Sequence, residues 1–254
     1  MISMSHVYKS WDSGATWAVD DVNFEVGRGE LVVLIGESGS GKTTTLKMIN
    51  CLIEPTKGIV KVGGEDVSAS DPVQLRRRIG YVFQGIGLFP HMSVAQNIGI
   101  VPSLLGWPTE EIEARVVELL DRVGLPADEY GGRAPSALSG GQLQRVGVAR
   151  ALAARQEVVL MDEPFGALDP VTRDRLQSAY RAIHVELGLT TVMVTHDMTE
   201  ALTMGERVAV MKDGKIVRDG SPKEIYADPG HPYVAELMET PRRQAELVES
   251  LVSR

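Results

Sequence analysis

The chain has 254 residues, of which 43% are apolar and 24% are charged, and its formal net charge is -8. This composition is that of a globular protein and excludes a disordered chain, and the acidic balance argues against nucleic acid as a partner. Cys51 is the only cysteine, which excludes a disulfide framework within the chain and suits a reducing compartment. Its apolar runs are too short to cross a bilayer and its start lacks the apolar centre of a signal peptide, so we expect any membrane role to act through a partner.

Short apolar strands alternate with helical segments along most of the chain. Residues 31–35 (LVVLI) form a continuous apolar run, typical of a strand buried on both faces, and a helix is expected over residues 42–52. Further apolar strands are predicted at residues 79–83, 158–161 and 191–195. Strands separated in this way by helices predict an α/β fold with a mostly parallel sheet.

Three regions depart from this alternation. Residues 17–26 alternate apolar and polar side chains, and residues 207–220 form a predicted hairpin that turns at Asp213-Gly214, so both segments favour antiparallel strands. Residues 87–150 contain helical periodicity and no comparable strand, which predicts a helical subdomain inserted between two strands. The SPKE segment at 221–224 begins a helical C-terminal region, and we expect one domain over residues 1–240 followed by a short helical tail over 241–254.

The segment GESGSGKTT lies between the first buried strand and a helix, and it matches the phosphate-loop pattern G-x-x-x-x-G-K-[ST]. Its glycines let the backbone curl so that successive N–H groups point at phosphate oxygens, and the helix N-terminus adds partial positive charge. Lys42 would neutralise the β- and γ-phosphates, and the Thr43 hydroxyl would ligate Mg²⁺. The alternative, a turn that merely caps a helix, is weaker because strand and helix are both in place. The predicted ATP-binding residues of this loop are Gly36, Ser38, Gly39, Ser40, Gly41, Lys42, Thr43 and Thr44.

Polar residues follow three of the other predicted strands. Asp162 would hold Mg²⁺, and Glu163, next along the chain and pointing elsewhere, is the candidate general base for the attacking water. Gln84 follows residues 79–83, where its amide could reach the Mg²⁺ or the water. His196 follows residues 191–195, where its imidazole could contact the γ-phosphate. Taken alone, such strand-end side chains are more often only surface polar groups.

A second glycine-rich helix start occurs at residues 138–142, LSGGQ, and it is far more specific for one family than the phosphate loop alone. With the phosphate loop, the DE pair, ALD at 167–169 and TH at 195–196, it resembles the ATPase subunits of ABC transporters over essentially the whole chain. Ser139 and the backbone N–H groups of Gly140, Gly141 and Gln142 form an anion-binding helix start. The resemblance implies that it faces the γ-phosphate held by a second copy of the chain, so that two copies sandwich two ATP molecules. It also implies that Asp169 couples the two sites.

The resemblance further places an aromatic side chain on the adenine. Trp11, in KSW, matches that position, and Tyr8 is the second candidate. The alternative for Trp11 is simple packing on the antiparallel sheet.

Residues 83–107, FQGIGLFPHMSVAQNIGIVPSLLGW, are similar to ATPases of osmoprotectant importers for glycine betaine, choline, carnitine or proline. This implies permease subunits that dock near the loop after Gln84, an extracytoplasmic binding protein, and a peripheral location on the cytoplasmic face of the membrane. Many such ATPases continue into tandem regulatory domains, whereas this chain ends in RRQAELVESLVSR, so we expect no direct osmotic gating by it. An importer of amino acids or lipids and a soluble ABC ATPase outside transport are the alternatives.

Overall fold

Ten strands lie in two sheets of the computed structural model, which describes residues 1–85 and 87–252. In chain order the strands are β1 (Ile2–Lys9), β2 (Val19–Val26), β3 (Leu31–Ile35), β4 (Lys57–Val62), β5 (Glu65–Asp66), β6 (Ile79–Val82), β7 (Val158–Asp162), β8 (Thr190–Thr195), β9 (Arg207–Lys212) and β10 (Lys215–Gly220). One sheet has the order β10-β9-β3-β8-β7-β6, and the other has the order β2-β1-β4-β5.

The six-stranded sheet is parallel except for its edge strand β10, which pairs antiparallel with β9. All five residues of β3 are buried, as the continuous apolar run predicts, and they alternate between two cores. Leu31, Val33 and Ile35 face the core formed with the helices, and Val32 and Leu34 face the core shared with the second sheet. The predicted α/β class with a mostly parallel sheet is therefore confirmed.

The antiparallel sheet contains one of the two segments for which antiparallel strands are predicted. Residues 17–26 supply β2, whereas the hairpin of residues 207–220 belongs to the six-stranded sheet, because β9 pairs parallel with β3. The interior of β9 is buried, so this strand needs a covered position and not the edge of a half-exposed sheet. The predicted antiparallel hairpin is confirmed, because β9 and β10 pair antiparallel, and the sequence made no prediction of the sheet that it joins.

The helices cover the six-stranded sheet and form the inserted subdomain. They are α1 (Lys42–Ile49), α2 (Pro72–Arg77), α3 (Val94–Leu104), α4 (Thr109–Arg122), α5 (Ala127–Tyr130), α6 (Gly140–Ala151), α7 (Pro170–Leu187), α8 (Met198–Met204), α9 (Pro222–Ala227) and α10 (Pro232–Val252), with a 3₁₀ turn at Pro135–Ala137. Helices α3 to α6 account for the predicted helical region. Helices α3 and α4 approach so closely that a Cβ at Gly99 would lie 2.7 Å from the side chain of Ile112.

The C-terminal part begins with α9, where Ser221 and Glu224 form the predicted capping box. Helix α10 follows and runs without interruption past residue 241, and Val234 and Met238 anchor its first half in the core. Residues 253 and 254 of the predicted tail lie outside the described residues. Over the ranges 1–85 and 87–252, none of these helices is both long and apolar enough to span a bilayer.

Candidate functional site

The loop from Gly36 to Gly41 connects the buried strand β3 to α1, and its backbone is tightly confined. Gly39 and Gly41 have φ values of +84° and +100°, a region that favours glycine. A Cβ at position 36 would lie 2.2 Å from the carbonyl oxygen of Met211, and one at position 41 would lie 2.4 Å from that of Ala18. Two other segments of the chain therefore press against the loop, and only glycine fits at these two positions.

Lys42, the first residue of α1, is only 5% exposed. Its Nζ donates to the carbonyl oxygens of Gly36 at 2.8 Å and Glu37 at 2.7 Å. Burial lowers the pKa of Lys42, and nearby carboxylates, with Glu163 the strongest, oppose this shift. The ammonium is thus held by neutral carbonyls in a buried position, where an anion such as a phosphate would supply the missing counter-charge.

The remaining loop residues differ in their exposure. Ser40 is buried with its Oγ 3.4 Å from Lys42 Nζ, Ser38 and Gly39 are exposed on the rim, and Thr44 is half-buried in the first turn of α1. The backbone N–H of Gly214, in the β9–β10 turn, donates to the Ser40 carbonyl at 3.2 Å and supports the loop from outside.

Thr43 and Asp162 meet, although 119 residues separate them in the chain. The Thr43 hydroxyl donates to Asp162 Oδ1 at 2.8 Å. Asp162 ends β7 and is 2% exposed, and its burial raises the pKa of the carboxyl group. A hydroxyl and a carboxylate in contact are the hard oxygen donors that Mg²⁺ prefers, and a divalent cation would favour the ionised form of this buried acid. The residues present therefore fit a magnesium ion.

Glu163 and His196 also come together at the same edge of the sheet. Glu163 Oε2 lies 3.3 Å from His196 Nδ1, and the Glu163 backbone N–H donates to the Val194 carbonyl at 3.0 Å. The Glu163 φ is +47°, a left-handed conformation that is unusual for a residue with a side chain. The parallel pairing of β7 with β8 brings these two strand-end residues together, and both side chains retain access to solvent.

Gln84 follows the neighbouring strand β6 and is not hydrogen-bonded to this cluster in the described residues. It lies two residues after the end of β6 and is exposed. Sequence reasoning missed its neighbour Tyr81, which is on β6. The Tyr81 hydroxyl is buried without a hydrogen-bond partner in the described residues, and burial together with the negative charge of Asp162 raises its pKa.

The second glycine-rich segment begins α6, and its own residues cap the helix. Ser139 Oγ accepts from the Gln142 backbone N–H at 3.3 Å, and Gln142 Oε1 accepts from the Ser139 N–H at 2.8 Å, which forms a capping box. A Cβ at position 141 would lie 3.2 Å from the side chain of Leu168. A Cβ at position 140 would point into open space. Ser139 and Gly140 are exposed, so this face of the helix start is accessible to another molecule.

Asp169 caps a helix. It precedes α7, and its Oδ1 accepts from the Thr172 backbone N–H at 3.0 Å. Hydrogen bonding from the Thr172 side chain, followed by that from its backbone N–H, lowers the pKa of this exposed carboxyl group. This contact accounts for the aspartate within one chain, and its role in coupling two sites stays a prediction.

Trp11 and Tyr8 differ in what they contact. Trp11 is 66% exposed, with Lys9 Nζ 4.3 Å from the centre of its ring, and it does not pack into the antiparallel sheet. Tyr8 is half-buried against the edge of Trp17, with ring centres 5.4 Å apart. Trp11 therefore has a free surface for stacking on a base, and Tyr8 is already engaged.

A glycine loop with a buried lysine, followed at the sheet edge by a Thr–Asp contact and a Glu–His contact, defines a P-loop nucleotide-binding protein of the α/β class. The sequence model described as ABC transporter matches residues 19–166. The chain belongs to this family, which confirms the resemblance found from the motifs.

Three known proteins illustrate the similarity. The carnitine transport ATP-binding protein OpuCA of Listeria monocytogenes is 50% identical over 238 residues, which cover 94% of this chain and 59% of the relative. The glycine betaine uptake system ATP-binding protein YehX of Escherichia coli is 50% identical over 237 residues, which cover 93% of this chain and 76% of the relative. A solved dimer of the ATP-binding cassette MJ0796, bound to ADP and phosphate, has a TM-score of 0.80 and 34% identity over 87% of this chain and 99% of that one. The chain thus spans about three fifths of the length of the carnitine relative.

Proposed function

We propose that this chain is the ATP-hydrolysing subunit of an importer for quaternary-amine osmoprotectants of the glycine betaine, choline, carnitine or proline type. The observation that carries this proposal is the identity of one half, over nearly the whole chain, with ATP-binding proteins named for carnitine transport and glycine betaine uptake.

In this proposal the nucleotide binds at the carboxyl edge of the six-stranded sheet. Lys42, positioned by the Gly36 and Glu37 carbonyls, donates to the β- and γ-phosphates, and Trp11 stacks on the adenine. Thr43, Asp162 and Gln84 would hold Mg²⁺, which supplies neutralisation of phosphate charge when bound. Glu163 accepts a proton from the attacking water. His196, in contact with Glu163, orients that carboxylate and faces the γ-phosphate.

The second half of the reaction centre comes from a second copy of the chain. Ser139, Gly140, Gly141 and Gln142 of one copy would contact the γ-phosphate bound by the other, with Asp169 at the boundary between the two sites. The exposed helix start and the open space at Gly140 support this arrangement, because no neighbour among the described residues requires a glycine there. ATP would join the two copies, and hydrolysis would release them.

The transport partners are permease subunits at the cytoplasmic face of the membrane, supplied by an extracytoplasmic substrate-binding protein. Phe83 and Phe89 flank the loop after Gln84, and both are large apolar side chains with substantial exposure. Such side chains support the docking of a permease helix beside this loop.

The test is reconstitution of the chain with its permease and binding protein in lipid vesicles. We expect glycine betaine, choline, carnitine or proline to stimulate ATP hydrolysis, and a Glu163→Gln complex to take up none of them. Stimulation by lipids, or by amino acids other than proline, in place of these four solutes would contradict the assigned substrate class. Hydrolysis that no solute affects would contradict the transport function itself.

A further inference from the structure

One peptide bond of the phosphate loop, between Gly36 and Glu37, is held at both of its polar ends. Its N–H donates to the hydroxyl of Tyr233 at 2.7 Å, and its carbonyl oxygen accepts from Lys42 Nζ at 2.8 Å. Because the peptide unit is planar and its N–H and C=O point in opposite directions, fixing one group orients the other. The Tyr233 hydroxyl thus sets the direction of a carbonyl that positions Lys42.

Tyr233 comes from outside the site, in the first turn of α10 and 196 residues further along the chain. It is 7% exposed, and Lys212 Nζ lies 4.7 Å from the centre of its ring. Val234, the next residue, is fully buried in the core formed with the helices, and α10 packs against α8, the helix that begins two residues after His196. The hydroxyl is therefore presented by an anchored helix that contacts both the phosphate loop and α8.

The loop has little freedom to compensate for the loss of this contact. Position 36 is already in contact with the Met211 carbonyl, and Lys42 uses both the Gly36 and the Glu37 carbonyls. If the peptide unit rotated, Lys42 would lose an acceptor and the loop would sample conformations that do not match a phosphate. Binding would then have to restore the order of the loop, at the expense of affinity.

We propose that Tyr233 is a positioning residue for the phosphate loop, and that helix α10 sets the affinity for nucleotide through its hydroxyl. This inference rests on the proposed ATP-binding function and adds to it a residue far from the known motifs. It also assigns to the C-terminal helix a direct influence on the nucleotide site.

The test uses Tyr233→Phe, which keeps the ring, its packing and its contact with Lys212 and removes only the hydroxyl. A typical net hydrogen-bond contribution corresponds to a roughly threefold to tenfold weaker affinity for ADP and ATP, measured by calorimetry. We expect KM for ATP to rise by the same factor while kcat is unchanged, because the hydroxyl acts on ground-state binding. Hydrogen exchange at the Glu37 amide should become faster. Tyr226→Phe, an exposed tyrosine on α9, is the matched control and should change none of these quantities.

The outcomes separate this inference from the proposed function. Parental nucleotide affinity together with parental exchange at the Glu37 amide in Tyr233→Phe would overturn the inference and leave the ATPase function standing. A fall in kcat at unchanged KM would also overturn it, since the hydroxyl would then act on the chemical step. Failure of the parent chain itself to bind ATP would overturn the proposed function and this inference with it.

Discussion

Glu163 has a strained backbone conformation and a side chain with a proposed catalytic role. Two substitutions separate the effect of the backbone strain on stability from the effect of the carboxylate on activity. Glu163→Ala and Glu163→Gly both remove the carboxylate and its 3.3 Å contact with His196. They differ in the backbone, because φ at this position is +47° and only glycine adopts that region without steric strain. We therefore expect equal losses of activity and unequal stabilities.

The size of the difference follows from two opposing contributions. A left-handed conformation costs an L-residue about 1–2 kcal/mol, and glycine in place of alanine returns about 0.4–1 kcal/mol through the entropy of the unfolded chain. Glu163→Gly should thus have a free energy of unfolding about 1 kcal/mol higher than that of Glu163→Ala. For a chain of this size, that corresponds to a melting temperature higher by about 2–4 °C.

Urea denaturation of the two nucleotide-free variants measures this difference, and steady-state ATP hydrolysis measures the chemistry. Loss of a general base should lower kcat by about 10²–10⁴ in both variants. A glycine variant no more stable than the alanine variant would refute the strain argument. Turnover near the parental rate in either variant would remove Glu163 as the base.

Three further predictions concern separate parts of the site. Because burial raises the pKa of Asp162, the ionised acid destabilises the empty fold as pH rises above the usual carboxyl range. Asp162→Asn should therefore raise the unfolding free energy at neutral pH by on the order of 1 kcal/mol. The difference in unfolding free energy between variant and parent should shrink toward acid pH, in denaturation experiments with EDTA. A variant less stable than the parent at neutral pH would contradict this. Trp11→Ala should weaken ATP binding by about 1–3 kcal/mol and leave stability within about 0.5 kcal/mol, because the ring is exposed; a larger affinity loss in Tyr8→Leu would identify Tyr8 as the stacking residue. Ser139→Arg should bind ATP as the parent does and fail to dimerise with ATP in light scattering, so parental dimerisation would remove the cross-subunit assignment.

The positions of the strand ends at the site could be predicted, because the apolar pattern of each strand's own residues determines where it ends. Continuous apolar runs specify buried parallel strands, and such strands bring the residues that follow them to one edge of a sheet. The Thr43–Asp162 and Glu163–His196 contacts confirm the expected proximity of these residues. Their chemical roles stay predictions.

Other features depend on distant partners that have no local pattern. The hydroxyl of Tyr233 meets the amide of Glu37 across 196 residues, and nothing near either residue in the sequence indicates the other. The hairpin of residues 207–220 shows the same limit. Its turn chemistry predicts the β9–β10 pairing, but the parallel pairing of β9 with β3 depends on the whole sheet.

The close contacts of Gly36 and Gly41 with the Met211 and Ala18 carbonyls have an evolutionary consequence. The packing of the fold requires glycine at both positions, whether or not the protein hydrolyses a nucleotide. A descendant relieved of catalytic duty would keep both of them and be free to lose Lys42 or Glu163. Surveys that infer enzymatic competence from glycine spacing alone would therefore count degenerate paralogues as active enzymes.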